Sequence, residues 1–106
     1  MQVGTIVKLK RECLGNPAGT IGVVFYNYGD GSQVIFKNGE HDGFNEVELI
    51  GAFAHKTEKD FILEEVGFEP RLAEYQFKNV IQVSIDYSKG IFDCVLSRLS
   101  LRDEIN

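Results

Sequence analysis

Apolar and polar residues alternate with a period of two through much of the first half of the chain, and a helical period dominates the second half. Residues 5–10 place Val7 and Leu9 on one face and Lys8 and Lys10 on the other, the pattern of a half-buried strand. Residues 20–26 put Ile21, Val23 and Phe25 on one face, and residues 32–37 do the same with Val34 and Phe36. Between these two runs, Asn27 to Gly31 forms a loop with two glycines. Asn38-Gly39 predicts a type I′ hairpin, which returns residues 40–44 antiparallel to the third strand. Residues 46–50 alternate once more, with Val47 and Leu49 inward and Glu46 and Glu48 outward, so five short strands are expected by residue 50.

Beyond residue 51 the pattern changes. Thr57 can cap a helix whose third residue, Asp60, is acidic. Phe61, Ile62 and Val66 share a helical face, and Gly67 stands where a left-handed cap would end it, which predicts a helix over residues 58–66. Pro70 suits the first position of a further helical turn. Residues 75–87 fit two periods. Six of their seven odd positions are apolar, as in a strand, whereas Phe77, Val80, Ile81, Ser84 and Tyr87 form a helical stripe. Helix is the preferred reading. After Gly90, the residues Ile91, Phe92, Val95, Leu96 and Leu99 recur at helical spacing.

Composition bounds this picture. A chain of 106 residues, 43% hydrophobic and 25% charged, corresponds to one globular domain, read as a barrel over residues 1–51 with a helical extension over 52–106 packed on it. Nine of the eleven glycines fall in residues 1–51, which suits tight turns between short strands. The sequence contains no apolar run long enough to span a bilayer and no leader-like start, so a cytoplasmic protein without membrane attachment is expected. Cys13 and Cys94 stand far apart without a CxxC, which favours buried, reduced thiols over a bridge.

Residues 4–50 resemble an SH3-like small β-barrel. Leu14-Gly15-Asn16-Pro17-Ala18-Gly19-Thr20-Ile21-Gly22-Val23-Val24 looks like the loop and strand of the KOW-type version, with Gly15, Gly19 and Gly22 at the spacing that lets a tight loop fold under the next strand. The run from Val34 to Phe44 is similar to small uncharacterised bacterial and phage barrels. The resemblance implies an α+β fold, with a five-stranded SH3-like barrel over residues 4–50 followed by a mainly helical extension. The KOW likeness implies RNA binding or association with the ribosome.

Catalytic motifs are missing from the sequence. It has no GxSxG elbow and no GxxxxGK[ST], and Glu40, His41 and Asp42 lie beside the hairpin without a third ligand at metal spacing. They read as a solvated hairpin, and His55 as a linker residue. No catalytic residue, metal ligand or cofactor is therefore assigned, and the expectation is a protein that is not an enzyme.

Charge and aromatic residues point to binding. The net charge of -5 disfavours a protein devoted to phosphate backbones. Ten acidic and three basic residues over 40–74 give that segment a net charge of -7, whereas the first 39 residues carry +2. Strand alternation places Tyr26 and Tyr28 opposite Phe25 and hence outward, where such rings supply contact area in SH3-like grooves. The leading expectation is a protein-protein interaction module that uses Tyr26, Tyr28 and Phe44 with Glu46 and Glu48 at the rim. Its sharper form is an acidic inhibitor or immunity-type protein facing a basic partner. The alternative is nucleic-acid binding through Lys8, Lys10, Arg11 and Lys37. An open barrel edge and apolar excess in the extension make a homodimer an expectation too.

Overall fold

The computed structural model describes residues 1–47, 56–74 and 80–105, with side chains in the last segment described from 81 to 98. Four strands follow one another: β1 (Thr5–Leu9), β2 (Ile21–Asn27), β3 (Gly31–Phe36) and β4 (His41–Asn45). A short helix α1 (Glu58–Ile62) leads directly into β5 (Leu63–Phe68), and three helices close the chain: α2 (Pro70–Ala73), α3 (Val80–Ser88) and α4 (Ile91–Ile105). The strands form one antiparallel sheet in the order β4-β3-β2-β1-β5. The fold is α+β. Its sheet is open, because β4 and β5 stand at opposite edges without pairing.

The first strands form for the reason their alternation implies, but the sheet buries both faces. One face carries Ile6, Ile21, Val23, Phe25 and Ile35 against Leu72, Val83, Phe92, Val95 and Leu96 of the three C-terminal helices. The other carries Val7, Leu9, Val24, Val34, Phe36 and Phe44, closed over by Ile62 of α1 and Leu63 of β5. Each fully buried aliphatic or aromatic side chain contributes about 1.5–3 kcal/mol through its removal from water, so the two layers together hold the sheet. The sheet curls enough to bring α1 to β4, where the Asn45 amide donates to the Glu58 carboxylate at 3.0 Å.

Three local expectations are corrected. The Asn38-Gly39 turn is not type I′: Gly39 alone is left-handed, at φ 87°, and its N–H donates to Phe36 O at 2.9 Å. Phe36 N–H donates in turn to Glu40 O at 2.8 Å, so the loop holds three residues and Lys37 and Asn38 keep ordinary backbone. Both central residues are left-handed instead in the turn from Cys13 to Asn16, where Leu14 lies at φ 52° and Gly15 at 77° between two Cys13–Asn16 backbone hydrogen bonds.

The second correction concerns residues 58–66. Thr57 and Asp60 act as expected at the helix start, the Asp60 carboxylate accepting from Thr57 N–H at 3.0 Å and from its hydroxyl at 2.7 Å. The helix ends at Ile62, however, and the chain continues as β5. Lys10 N–H takes the Ile62 carbonyl at 2.7 Å, Leu63 drops into the second core, and the free edge of β1 supplies ladder partners that a lone helix of this length could not match. Gly67 lies opposite Ile6 in the strand and does not cap a helix; the ladder slips beside it, leaving Val66 as the bulged residue. The fifth strand thus comes from the second half of the chain. Glu46 and Val47 lie outside any strand, and residues 48–50 are outside the described residues.

The third correction concerns the thiols. Both cysteines are free, but Cys94 is exposed and only Cys13 is half-buried. Burial pushes the Cys13 thiol above its ordinary pKa, with Asp42 adding to the rise. Elsewhere the readings match: Pro70 opens α2, residues 80–88 are helical, and α4 begins at Ile91. Residues 75–79 lie outside the described residues. Among the described residues no helix is long and apolar enough to cross a membrane.

Candidate protein-interaction face

A bulge in β2 sets the geometry of the aromatic residues. The β2–β3 register runs Val24↔Val34 and then Tyr26↔Gln33, so Phe25 is the extra residue. Tyr26 therefore stands level with Gln33, on the face that also carries Ile35 and Phe25. Simple alternation places it on the opposite face, and the bulge overrides alternation. Tyr26 and Tyr28 are each 37% exposed.

Tyr28 lies across a floor made of glycine. A Cβ on Gly31 would fall 2.2 Å from Tyr28 Oη, and one on Gly43 would fall 3.1 Å from the same atom and 3.2 Å from Gln33 Nε2. The ring occupies the space that side chains on those two strands would fill. Gln33 pairs with Tyr26 on one side and Gly43 on the other, so Tyr26, Gln33 and Tyr28 border one continuous patch. The same face is closed towards the hairpin end by Phe25, which meets His41 edge-on at 6.0 Å and Phe92 at 6.4 Å.

The edge beside Tyr28 is acidic. Asp42 Oδ1 accepts from Gly43 N–H at 2.9 Å, and the Glu58 carboxylate holds Asn45, the cross-strand partner of Gly31. Burial, followed by Asp30, Glu58, Glu46 and Asp42, holds the Tyr28 phenol above the ordinary tyrosine range. The charged groups acting on that ring are thus all carboxylates.

The remaining expected site residues fall elsewhere. Phe44 is 1% exposed and packs edge-on against Phe36 at 6.2 Å, so it belongs to the core and supplies no contact surface. Its position in β4 turns it to the second face, between Gly43 and Asn45 on the first. Glu46 is tied inward: its carboxylate pairs with the Met1 ammonium and accepts from the Ser32 hydroxyl at 2.8 Å. Burial works to raise its pKa, and the hydrogen bonds from the ammonium and Ser32 outweigh that and lower it. Glu48 is outside the described residues.

The basic residues have different surroundings. Lys8 stands opposite Glu64 across the β1–β5 ladder, and the Lys10 ammonium donates to the Asp60 carbonyl. Arg11 and Lys37 are exposed, Arg11 beyond the end of β1 and Lys37 in the β3–β4 loop. Among the described residues no group of three or more His, Cys, Asp or Glu could hold a metal ion.

Sequence reasoning missed Gln33, Asp30, Gly31 and Gly43. The two glycines carry the only usable signal, because they occupy one face of neighbouring strands. That becomes visible only once register is known. No protein family, curated protein or solved structure matches the chain.

Proposed function

We propose that this chain is a non-enzymatic protein-interaction module of SH3-like kind, and that it meets its partner through the sheet face around Tyr26, Tyr28 and Gln33. The observation that carries this reading is the pair of tyrosines, each more than a third exposed, on a patch floored by Gly31 and Gly43. Tyrosine supplies large contact area with a polar tip at low entropic cost, and a strand floor holds such rings in place before a partner arrives. The acidic edge favours a basic protein over nucleic acid, whose phosphates it would repel. Lys8 and Lys10 weaken the nucleic-acid alternative further, since each already faces an acidic residue or a carbonyl.

Affinity capture from the native cytosol tests the reading, with the unaltered chain compared against a Tyr26→Ser/Tyr28→Ser double variant. A protein retained by the first and lost by the second is the expected result. Recovery of RNA in its place, or of the same protein by both baits, would overturn it.

A further inference from the structure

Tyr28 offers a more specific chemistry than contact area. Its hydroxyl end sits directly over the Cα atoms of Gly31 and Gly43, so one side of the ring is seated on backbone while the residue stays 37% exposed. An open tyrosine face attracts cations through its quadrupole. Asp30, in the loop that carries the ring, is the foremost charge acting on it, followed by Glu58, which is held by Asn45. Glu46 is already neutralised by the Met1 ammonium, so Asp30 and Glu58 supply the charge on this side.

We propose that the group seated on Tyr28 is a guanidinium, brought by an arginine of a basic peptide segment, stacked on the exposed side of the ring and bonded at its edge to Asp30. This rests on the interaction-module reading and names the partner chemistry of the same face. Charge complementarity selects a cation. Planarity selects arginine over lysine, because a flat fork can stack on a ring and still donate sideways to carboxylates, whereas an ammonium is a compact, strongly hydrated point charge. Gln33 beside the ring extends the patch with neutral donors and acceptors for the backbone of such a segment.

Amide chemical-shift titration with an arginine-bearing peptide and its citrulline counterpart, which keeps the shape and loses the charge, tests this. The arginine peptide should move the Gly31, Gln33 and Gly43 amides and bind about tenfold more tightly than the citrulline peptide, the size expected of a partly desolvated cation–π contact. Tyr28→Phe should retain that preference, whereas Tyr28→Leu and Asp30→Asn should each reduce it several-fold. Asp30 lies in an exposed loop, so its variant tests the charge without threatening the fold. Equal binding of the two peptides at these amides would overturn the guanidinium assignment and leave the interaction module standing. No shift at these amides with the arginine peptide would also overturn it, and the capture experiment would then decide the broader reading by itself.

Discussion

The hydroxyl of Tyr87 donates to the backbone carbonyl of Lys37 at 3.0 Å, tying α3 to the β3–β4 loop across fifty positions of sequence. The same ring stands where a Cβ on Gly39 would meet it at 3.2 Å. Tyr87→Phe should cost about 1 kcal/mol, the net worth of one exchanged hydrogen bond. Gly39→Ala should cost more, about 1–3 kcal/mol, because it forces a left-handed alanine and crowds that ring. Urea unfolding of the two single variants checks both values.

Leu14 adopts φ 52° at the exposed tip of the turn from Cys13 to Asn16. Leucine gains nothing local from that conformation, whereas asparagine tolerates it. Leu14→Asn should therefore stabilise the protein by about 0.5–1 kcal/mol with little loss of packing. A rise in the urea midpoint at unchanged slope is the expected reading, and a fall would mean that Leu14 packs on something that offsets its strain.

Carboxylates held below their usual pKa make stability depend on acid, Glu69 and Glu46 among them. Hydrogen bonds from Arg71 hold Glu69 down to about 2, from the usual 4.5, and the Met1 ammonium and Ser32 hold Glu46 lower than usual against the opposing effect of burial. A carboxylate with a depressed native pKa stabilises the fold above its unfolded pKa and loses that contribution as pH falls through the native one. Thermal midpoints should accordingly be flat above the usual carboxylate range and decline from about 4.5 downward. Glu46→Gln should flatten part of that decline. At neutral pH it should also cost about 1–2 kcal/mol by leaving a nearly buried ammonium without its counter-charge.

The strands read from alternation are where side-chain period and ladder agree: Val7 and Leu9, Ile21 and Val23, Val34 and Phe36 each share the predicted face. What alternation could not reveal is where the ladder slips. The bulge at Phe25 carries Tyr26 to the other side of the sheet, and the helical pattern of Phe61, Ile62 and Val66 is cut at Leu63, where the chain pairs with β1 as β5. Its assignment depends on the free edge of β1, a tertiary fact absent from the local pattern. The exposure of the tyrosines was legible, whereas the glycine floor under Tyr28 needed the register of β3 against β4.

Gly31 offers a direct handle on Tyr28. A methyl group there would fall 2.2 Å from Tyr28 Oη, so Gly31→Ala should lift the ring off the sheet. The phenol would then lose part of the burial that raises its pKa, and should titrate closer to the ordinary tyrosine value of 10.0. Spectrophotometric titration of tyrosinate, with Tyr28→Phe as the subtraction, reads this directly. An unmoved phenol would mean that the loop yields and the ring stays.

Phe44 and Tyr26 differ in kind although both were expected at one surface, and truncation should separate them. Phe44 is enclosed with Phe36 and Val34 in the second core, so Phe44→Ala leaves a cavity that neighbours can only partly close. The expected cost is about 3–5 kcal/mol, much of the stability of a domain this size. Tyr26, more than a third exposed and paired across the strand with Gln33, loses mainly cross-strand contact on truncation, about 0.5–1 kcal/mol. Equilibrium unfolding should therefore show Tyr26→Ala near the unaltered protein and Phe44→Ala far below it, while partner binding shows the reverse sensitivity among folded variants. Phe44→Leu keeps most of the volume and stays folded, so it should bind the partner as the unaltered chain does. Loss of binding in folded Phe44→Leu would return Phe44 to the interface.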